Sequence, residues 1–153
     1  MTASAEDARS LVDTNVVIDA HDQRDPAKHA VALELWRRLS DQGRLVLSSQ
    51  VFNEFCPVMM RPNRPVRLKP DQLSLILRDL EAISEVVPVT PSITFRALDA
   101  IQPYGLSFWD ALIWAAAAEN GVEVLDTEDF QDGRAVEGVR FVNPFAAGST
   151  PVS

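Results

Sequence analysis

The feature of this sequence that most constrains its fold is an alternation of short apolar runs with longer segments whose apolar residues recur at helical spacing. The short runs fit buried strands, and the longer segments fit helices that cover them. In chain order the predicted elements are strand 11–18, helix 25–42, strand 44–48, a helix from 49 onwards that Pro57 bends, helix 71–84, strand 86–89, helices 90–105 and 107–120, and strands 122–125 and 138–142. This order predicts an α/β fold with a parallel sheet covered by helices on both faces.

Length and composition narrow the class of protein further. The 153 residues suit a single domain over 1–153, with loose tails expected at 1–9 and 146–153. No apolar run approaches the roughly 20 residues of a membrane helix, and the polar, acidic start is unlike a signal or transit peptide. We therefore expect a cytoplasmic protein without membrane contact. Cys56 is the only cysteine, which excludes an internal disulfide.

Acidic residues stand near the ends of predicted strands, which is where parallel sheets bind their ligands. Asp13 interrupts the first apolar run and is followed by Thr14 and Asn15, so it is either a ligand-binding carboxylate or the cap of a following helix. Glu54 lies among apolar neighbours and either faces solvent or points toward a positive charge. Each of these two segments leaves both alternatives open.

Two later segments carry further acids. Asp110 ends the run from Ser107, a pattern typical of a helix start, so it could cap the backbone, project into a site from a closely packed helix, or do both. The polar turn 126–133 is either solvated or part of a site, and its acids are Asp126, Glu128, Asp129 and Asp132. Within this turn we single out the stretch from Thr127 to Asp129.

The net charge of −8 counts against a nucleic-acid partner unless metal ions neutralise some of the acids. The best local candidate for contacts with RNA phosphates is the proline-rich loop 61–70, although a solvated loop is an equally good explanation. Its basic residues are Arg61, Arg64, Arg67 and Lys69. The charge balance therefore directs attention to the acids and to what they could bind.

Four segments, taken together and in order, resemble the PIN-domain family, and most closely its VapC-type toxins. They are LVDTNVVID near the start, a serine followed five residues later by Glu54, LSFWDALIWAAA and LDTEDFQDG. The resemblance runs from Leu11 to about Phe145 and implies a three-layer α/β/α sandwich around a parallel sheet. It maps three residues onto the family's core acids, namely Asp13, Glu54 and Asp110. It maps Asp129 onto a fourth acid, for which the other acids of the turn compete, and it sets Asn15 and Thr127 beside the pocket.

This resemblance implies a metal-dependent endoribonuclease that is the toxin of a type II toxin–antitoxin pair. Oxygen ligands without clustered cysteine or histidine favour Mg²⁺ or Mn²⁺. Asp13 and Asp110 are expected to hold the principal ion, Glu54 to bind it directly or through water, and Asp129 to support a second ion. Metal-activated water is then the nucleophile and leaves 5′-phosphate and 3′-hydroxyl ends.

The chain's histidines and charge bear on competing mechanisms and on partners. The only histidines, His21 and His29, lack ligand spacing, which argues against histidine acid–base catalysis and a Ser-His-Asp hydrolase. The expected partners are RNA, a second copy of the chain, and an antitoxin whose basic tail would suit the acidic charge. The alternative is a non-catalytic PIN-like module that binds proteins, against which the complete set of acids argues.

Overall fold

A computed structural model describes residues 7–146, and this part of the chain contains six helices and six strands. The helices are α1 (Thr14–His21), α2 (Pro26–Asp41), α3 (Ser49–Met59), α4 (Pro70–Ile83), α5 (Pro91–Tyr104) and α6 (Phe108–Glu119). The strands are β1 (Ser10–Val12), β2 (Leu45–Ser48), β3 (Glu85–Val87), β4 (Val124–Asp126), β5 (Ala135–Val136) and β6 (Val139–Val142). Most of the two predicted tails, 1–6 and 147–153, lies outside the described residues.

The strands form one sheet in the order β3-β2-β1-β4-β6-β5. All neighbouring pairs in it are parallel except β5 with β6. The chain moves outward from β1 to β3 and then returns to β4 on the other side of β1. Because parallel crossovers are almost always right-handed, α1 to α4 cover one face of the sheet and α5 and α6 cover the other. The predicted α/β/α sandwich with a central, mostly parallel sheet is confirmed.

The first predicted strand was too long, because β1 ends at Val12 and the chain turns into α1. Asp13 has extended backbone angles, and its carboxylate accepts a hydrogen bond from the Thr14 backbone N–H, as an N-cap does. Val16 and Val17 are buried in α1 rather than in a strand. The β preference of valine is weaker than a helix cap combined with tertiary burial. The early end of the strand brings Asp13 to the edge of the sheet.

Other helix boundaries follow the predicted caps. Asp25 caps α2 and Thr90 caps α5, each with a proline next to it in the first turn. Gly105 ends α5 in the left-handed conformation at φ 65°, which glycine adopts without strain. Pro57 lies inside α3, so the predicted helix continues through it.

The sequence reading missed β5, the short edge strand that forms a hairpin with β6. Two residues give too little alternation of apolar and polar positions to be recognised. At the other end, the predicted loose lead-in includes Ala8, which is buried, and Arg9, which donates hydrogen bonds to Glu85 and to the Asn120 carbonyl. These contacts attach the start of the described chain to β3 and to the end of α6.

Helix α6 is central to the core and carries the acid Asp110 in its first turn. Residues 111–117 are all buried, which is typical of a helix enclosed on nearly every side. It packs against α5, β4 and β6, and Trp114, which is fully buried, donates from Nε1 to the Val136 carbonyl at 3.1 Å. In residues 7–146 no helix has both the length and the apolar character that crossing a bilayer requires.

Candidate functional site

The carboxyl ends of β1 and β4 lie side by side where the strand order reverses, the usual place for a ligand in an open α/β sheet. The register pairs Val12 with Asp126, so the residues that follow, Asp13 and Thr127, meet at this edge. The Thr127 hydroxyl donates a 2.8 Å hydrogen bond to Asp13 Oδ2. The Asp13 backbone N–H donates to the Asp126 carbonyl at 2.9 Å. Asp13 is therefore fixed by both strands.

Asp13 is the N-cap of α1, which is one of the two roles that its segment left open. Its Oδ1 accepts the Thr14 backbone N–H at 2.7 Å and so caps α1, while the side chain lies in the crevice with only 7% of the residue exposed. A carboxylate has about four lone-pair sites, and these two bonds use one on each oxygen. The cap therefore leaves acceptor capacity on both oxygens.

Asp129 lies next to Asp13 on the loop after β4. The Asn15 side chain points its Nδ2 at Asp129 Oδ2, 3.2 Å away, and the Asp129 backbone N–H donates to Thr127 Oγ1 at 3.1 Å. The Thr127 hydroxyl thus accepts from the Asp129 backbone while it donates to Asp13. Asn15 and Thr127, the two predicted supporting residues, contact Asp129 and Asp13, the two acids that we expect to serve different ions.

The electrostatics of Asp13 reflect burial among other acids. Burial raises the pKa of Asp13 to about 7, although the hydrogen bonds from Thr127 and Thr14 oppose this, and the negative charges of Asp129 and Glu54 add to the increase. A buried carboxylate of this kind is held back from ionising at neutral pH unless a positive charge compensates it.

Asp129 is coupled to a further acid. Burial raises its pKa, and the charges of Asp110 and Glu128 raise it more, while hydrogen bonds with Asp13 and Asn15 lower it. Together with the effect of the Glu54 charge on Asp13, this links the four predicted acids electrostatically. We call these four residues, Asp13, Glu54, Asp110 and Asp129, the acidic group. Glu54 comes from α3, Asp110 from α6, and the other two from the loops after β1 and β4.

Helix α3 places Gln50 and Glu54 one turn apart on the same face. Gln50 is 7% exposed, and its Nε2 donates to the Trp109 carbonyl in the first turn of α6 at 3.2 Å. This hydrogen bond joins the start of α3 to the start of α6. Sequence reasoning missed Gln50; its spacing of four residues from Glu54 was the available signal.

At the start of α6 the N-cap is Ser107, and the Asp110 carboxylate is not the capping group. The Ser107 hydroxyl accepts the Asp110 backbone N–H at 3.2 Å and caps α6. The Asp110 carboxylate sits in the first turn, where the helix dipole favours negative charge. Because its charge acts on Asp129, the side chain belongs to the acidic group.

In the described part of the chain, the buried side-chain oxygen atoms without a hydrogen-bond partner belong to three residues of this region. They are Thr14 Oγ1, Gln50 Oε1 and Glu54 Oε1. Native proteins rarely leave such atoms unsatisfied, and those that are tend to mark functional sites. Unsatisfied acceptors beside several carboxylates match the oxygen ligands that Mg²⁺ and Mn²⁺ prefer.

The acids nevertheless do not form a finished ligand set. Within residues 7–146, no three His, Cys, Asp or Glu side chains stand together as a group that could hold a metal ion. Carboxylates repel one another, so closer approach needs a cation between them. The oxygen donors thus suit a divalent ion, although the carboxylates of the described residues are not yet close enough together to form a complete ligand set.

The three acids that compete with Asp129 for the fourth position have other partners. Asp126 is buried, accepts a hydrogen bond from the Ser10 hydroxyl, and has its pKa raised by burial to about 6. Glu128 forms an ion pair with Lys28 at 2.7 Å. Asp132 accepts the backbone N–H of Asn143 at 2.8 Å. Asp129 is the acid of this turn whose contacts lead to Asp13.

The basic loop 61–70 is partly committed to structural contacts. Arg64 forms an ion pair with Asp22, and the two side chains are only 12% and 7% exposed. Arg67 Nε donates to the Met60 carbonyl at 2.9 Å. Arg61 and Lys69 are exposed. The loop therefore offers fewer charges to a substrate than its sequence suggests.

The fold and site define an α/β protein with a carboxylate-lined crevice at the switch point of its sheet. The PIN-domain family profile matches residues 10–134, and the chain belongs to this family. No curated protein matches the chain significantly.

Similar solved structures share the fold. One is a toxin–antitoxin complex from Klebsiella pneumoniae, with TM-score 0.61, 24% identity, and coverage of 90% of this chain and 99% of that chain. Another is the sarcin–ricin-loop-cleaving toxin VapC20 from Mycobacterium tuberculosis, with TM-score 0.62, 21% identity, and coverage of 78% and 91%. A third is DNA-bound VapBC from Salmonella typhimurium, with TM-score 0.61, 16% identity, and coverage of 88% and 96%.

Proposed function

We propose that this chain is a divalent-metal-dependent endoribonuclease and the toxin of a type II toxin–antitoxin pair. The observation that carries this proposal is the coupling of buried Asp13 to Glu54 and Asp129 at the switch point of a PIN-family sheet. A structural ion pair would match acids with bases, whereas this crevice collects acids. Such a crevice is suited to binding cations.

The four acids would hold the metal. Asp13 and Asp110 bind the principal Mg²⁺ or Mn²⁺, Glu54 binds it directly or through water, and Asp129 supports a second ion. A divalent ion held there supplies Lewis acidity, which activates water for attack on an RNA phosphodiester. The chain's own contribution is to fix Asp13 through Thr127 and to orient Asp129 through Asn15. The products have 5′-phosphate and 3′-hydroxyl ends.

The proposed protein partner is an antitoxin with a basic segment. Toxin–antitoxin complexes are among the structural neighbours. The net charge of −8 would attract a positively charged segment of such a partner. A basic side chain in the crevice would occupy the position proposed for the cations and so block cleavage.

We also propose that the chain forms a homodimer. Leu75 is 67% exposed and Ile83 42% exposed on α4, eight residues apart and therefore on one side of the helix. Light scattering should give twice the monomer mass for wild type and the monomer mass for Leu75→Glu. A monomeric wild type would contradict this part of the proposal.

The function is tested by RNA cleavage with purified wild type, Asp13→Asn and Asp126→Asn. Asp126 is a matched control, because it is similarly buried at the end of the neighbouring strand but accepts its hydrogen bond from Ser10, outside the acidic group. We expect wild type and Asp126→Asn to cleave RNA with Mg²⁺ or Mn²⁺, and EDTA to stop them. Asp13→Asn should lose at least about a hundredfold in rate, because even the loss of a group that only supports a metal ligand costs about 10–100-fold.

The outcomes separate the alternatives. Equal cleavage by wild type and Asp13→Asn would show that the acids are not the active centre. A 2′,3′-cyclic phosphate product would contradict metal-activated water as the nucleophile. Absence of cleavage by a folded wild type under all metal conditions would favour the non-catalytic module. Growth arrest on induction of wild type but not of Asp13→Asn would support the toxin role.

A further inference from the structure

An exposed tryptophan adjoins the acidic group and takes no part in the core. Trp109 is 61% exposed, while the other two tryptophans of the chain, Trp36 and Trp114, are 9% and 0% exposed. Tryptophan is enriched at binding interfaces, where its ring offers a large apolar contact area. Trp109 directly precedes Asp110, and both lie in the first turn of α6.

The ring and its backbone are held in place. The Phe108 ring packs edge-on against Trp109 with centroids 5.1 Å apart. The Trp109 carbonyl accepts from Gln50, whose helix carries Glu54 one turn later. A ring whose neighbours already restrain it loses less entropy when a ligand stacks on it.

We propose that Trp109 is a stacking platform for a nucleobase of single-stranded RNA beside the scissile phosphate. This inference rests on the proposed nuclease function and adds how the substrate is bound. Base stacking on an aromatic ring needs no positive charge. That property suits a chain of net charge −8 in which Arg64 of the basic loop is already paired with Asp22. Single-stranded RNA exposes base faces for such contacts, whereas a duplex hides them.

Trp109 fluorescence provides a direct assay, because it is the tryptophan most accessible to a ligand. A short single-stranded RNA pool of random sequence is titrated into Asp13→Asn in the presence of Mg²⁺, so that cleavage is minimised. We expect quenching of the Trp109 emission, and no such quenching with an abasic ribose-phosphate chain of the same length. Trp109→Leu should weaken RNA binding, followed by anisotropy of labelled RNA, by about tenfold or more, and Trp109→Phe should restore most of it.

Phe95→Ala is the matched control. Phe95 is 68% exposed on α5, and the hydrogen bond from Ser92 to Glu119 sets this end of α5 beside the far end of α6. Glu119 lies ten positions after Trp109 in α6, roughly 15 Å along the axis. Phe95→Ala should therefore bind RNA as the parent does.

Three results would overturn the proposal. One is unchanged RNA affinity in Trp109→Leu. Another is equal binding of RNA and the abasic chain. The third is a loss of self-association in Trp109→Leu without a loss of RNA affinity, which would assign the ring to a protein interface. If wild type still cleaves RNA and Asp13→Asn does not, the proposed function stands whichever of these is found.

Discussion

The raised pKa of Asp13 predicts that neutralising this residue stabilises the metal-free protein, and increasingly so as the pH rises. The folded state holds the proton up to a pH of about 7, whereas the unfolded chain releases it near 3.8. Ionisation therefore opposes folding, and the penalty grows from pH 4 to pH 7 and is constant above. At about 1.4 kcal/mol per pKa unit the full penalty is about 4 kcal/mol.

Asp13→Asn removes this penalty but disturbs the hydrogen bond from Thr127, at a cost of about 1 kcal/mol. We expect the variant to be about 2–3 kcal/mol more stable than wild type at pH 8.5 in EDTA. Its advantage should shrink by about 2 kcal/mol at pH 5.5. At that pH the Asp13 carboxyl of wild type is almost fully protonated in the folded state and mostly ionised in the unfolded state, so only part of the penalty applies. The variant thus gains most where wild type ionises.

The assay is urea unfolding followed by circular dichroism at both pH values, with Asp132→Asn as an exposed acidic control. Adding Mg²⁺ or Mn²⁺ at pH 8.5 should stabilise wild type, because an ion that binds only the folded state shifts the unfolding equilibrium. The variant should gain much less. If Asp13→Asn is less stable than wild type at pH 8.5 in EDTA, ionisation of Asp13 does not oppose folding as we expect.

Two further predictions concern residues outside the acidic group. Ser10→Ala removes the donor to buried Asp126 and should destabilise the protein by about 1–3 kcal/mol, measured by urea unfolding, while leaving metal binding unchanged; an unchanged stability would show that this hydrogen bond is dispensable. Arg64→Met removes the ion-pair partner of the buried Asp22 and should lower the free energy of unfolding by about 3 kcal/mol. Arg61→Met, at an exposed site, should lower it by under about 0.5 kcal/mol. Equal losses would contradict a structural role for Arg64.

The layer architecture could be predicted from the sequence because it depends on periodic patterns. Alternating strand and helix segments led directly to a mostly parallel sheet, and caps such as Asp25 and Thr90 are local signals that tertiary contacts reinforce. The end of β1 was placed wrongly because valines on both sides of Asp13 suit a strand as well as a buried helix. The short strand β5 has too few residues to produce a pattern.

The site was predictable in its residue types but not in its partnerships. The order of the motif segments was enough to single out Asp13, Glu54 and Asp110 as candidate site residues. The hydrogen bond from Thr127 to Asp13, in contrast, depends on the pairing of β1 with β4. The sequence also does not distinguish Asp129 from the other acids of its turn, because no local pattern shows that Glu128 forms an ion pair with the distant Lys28. Long-range contacts of this kind carry no signature within a single segment.

Diffraction from crystals soaked in Mn²⁺ would show directly whether the acidic group binds a divalent ion, because the anomalous signal locates the ion. We expect a peak between the carboxylates of Asp13 and Asp110, with Glu54 within reach directly or through water. A soaked crystal whose anomalous peaks lie only elsewhere, or which shows none while Asp13 and Asp110 are well ordered, would contradict this expectation.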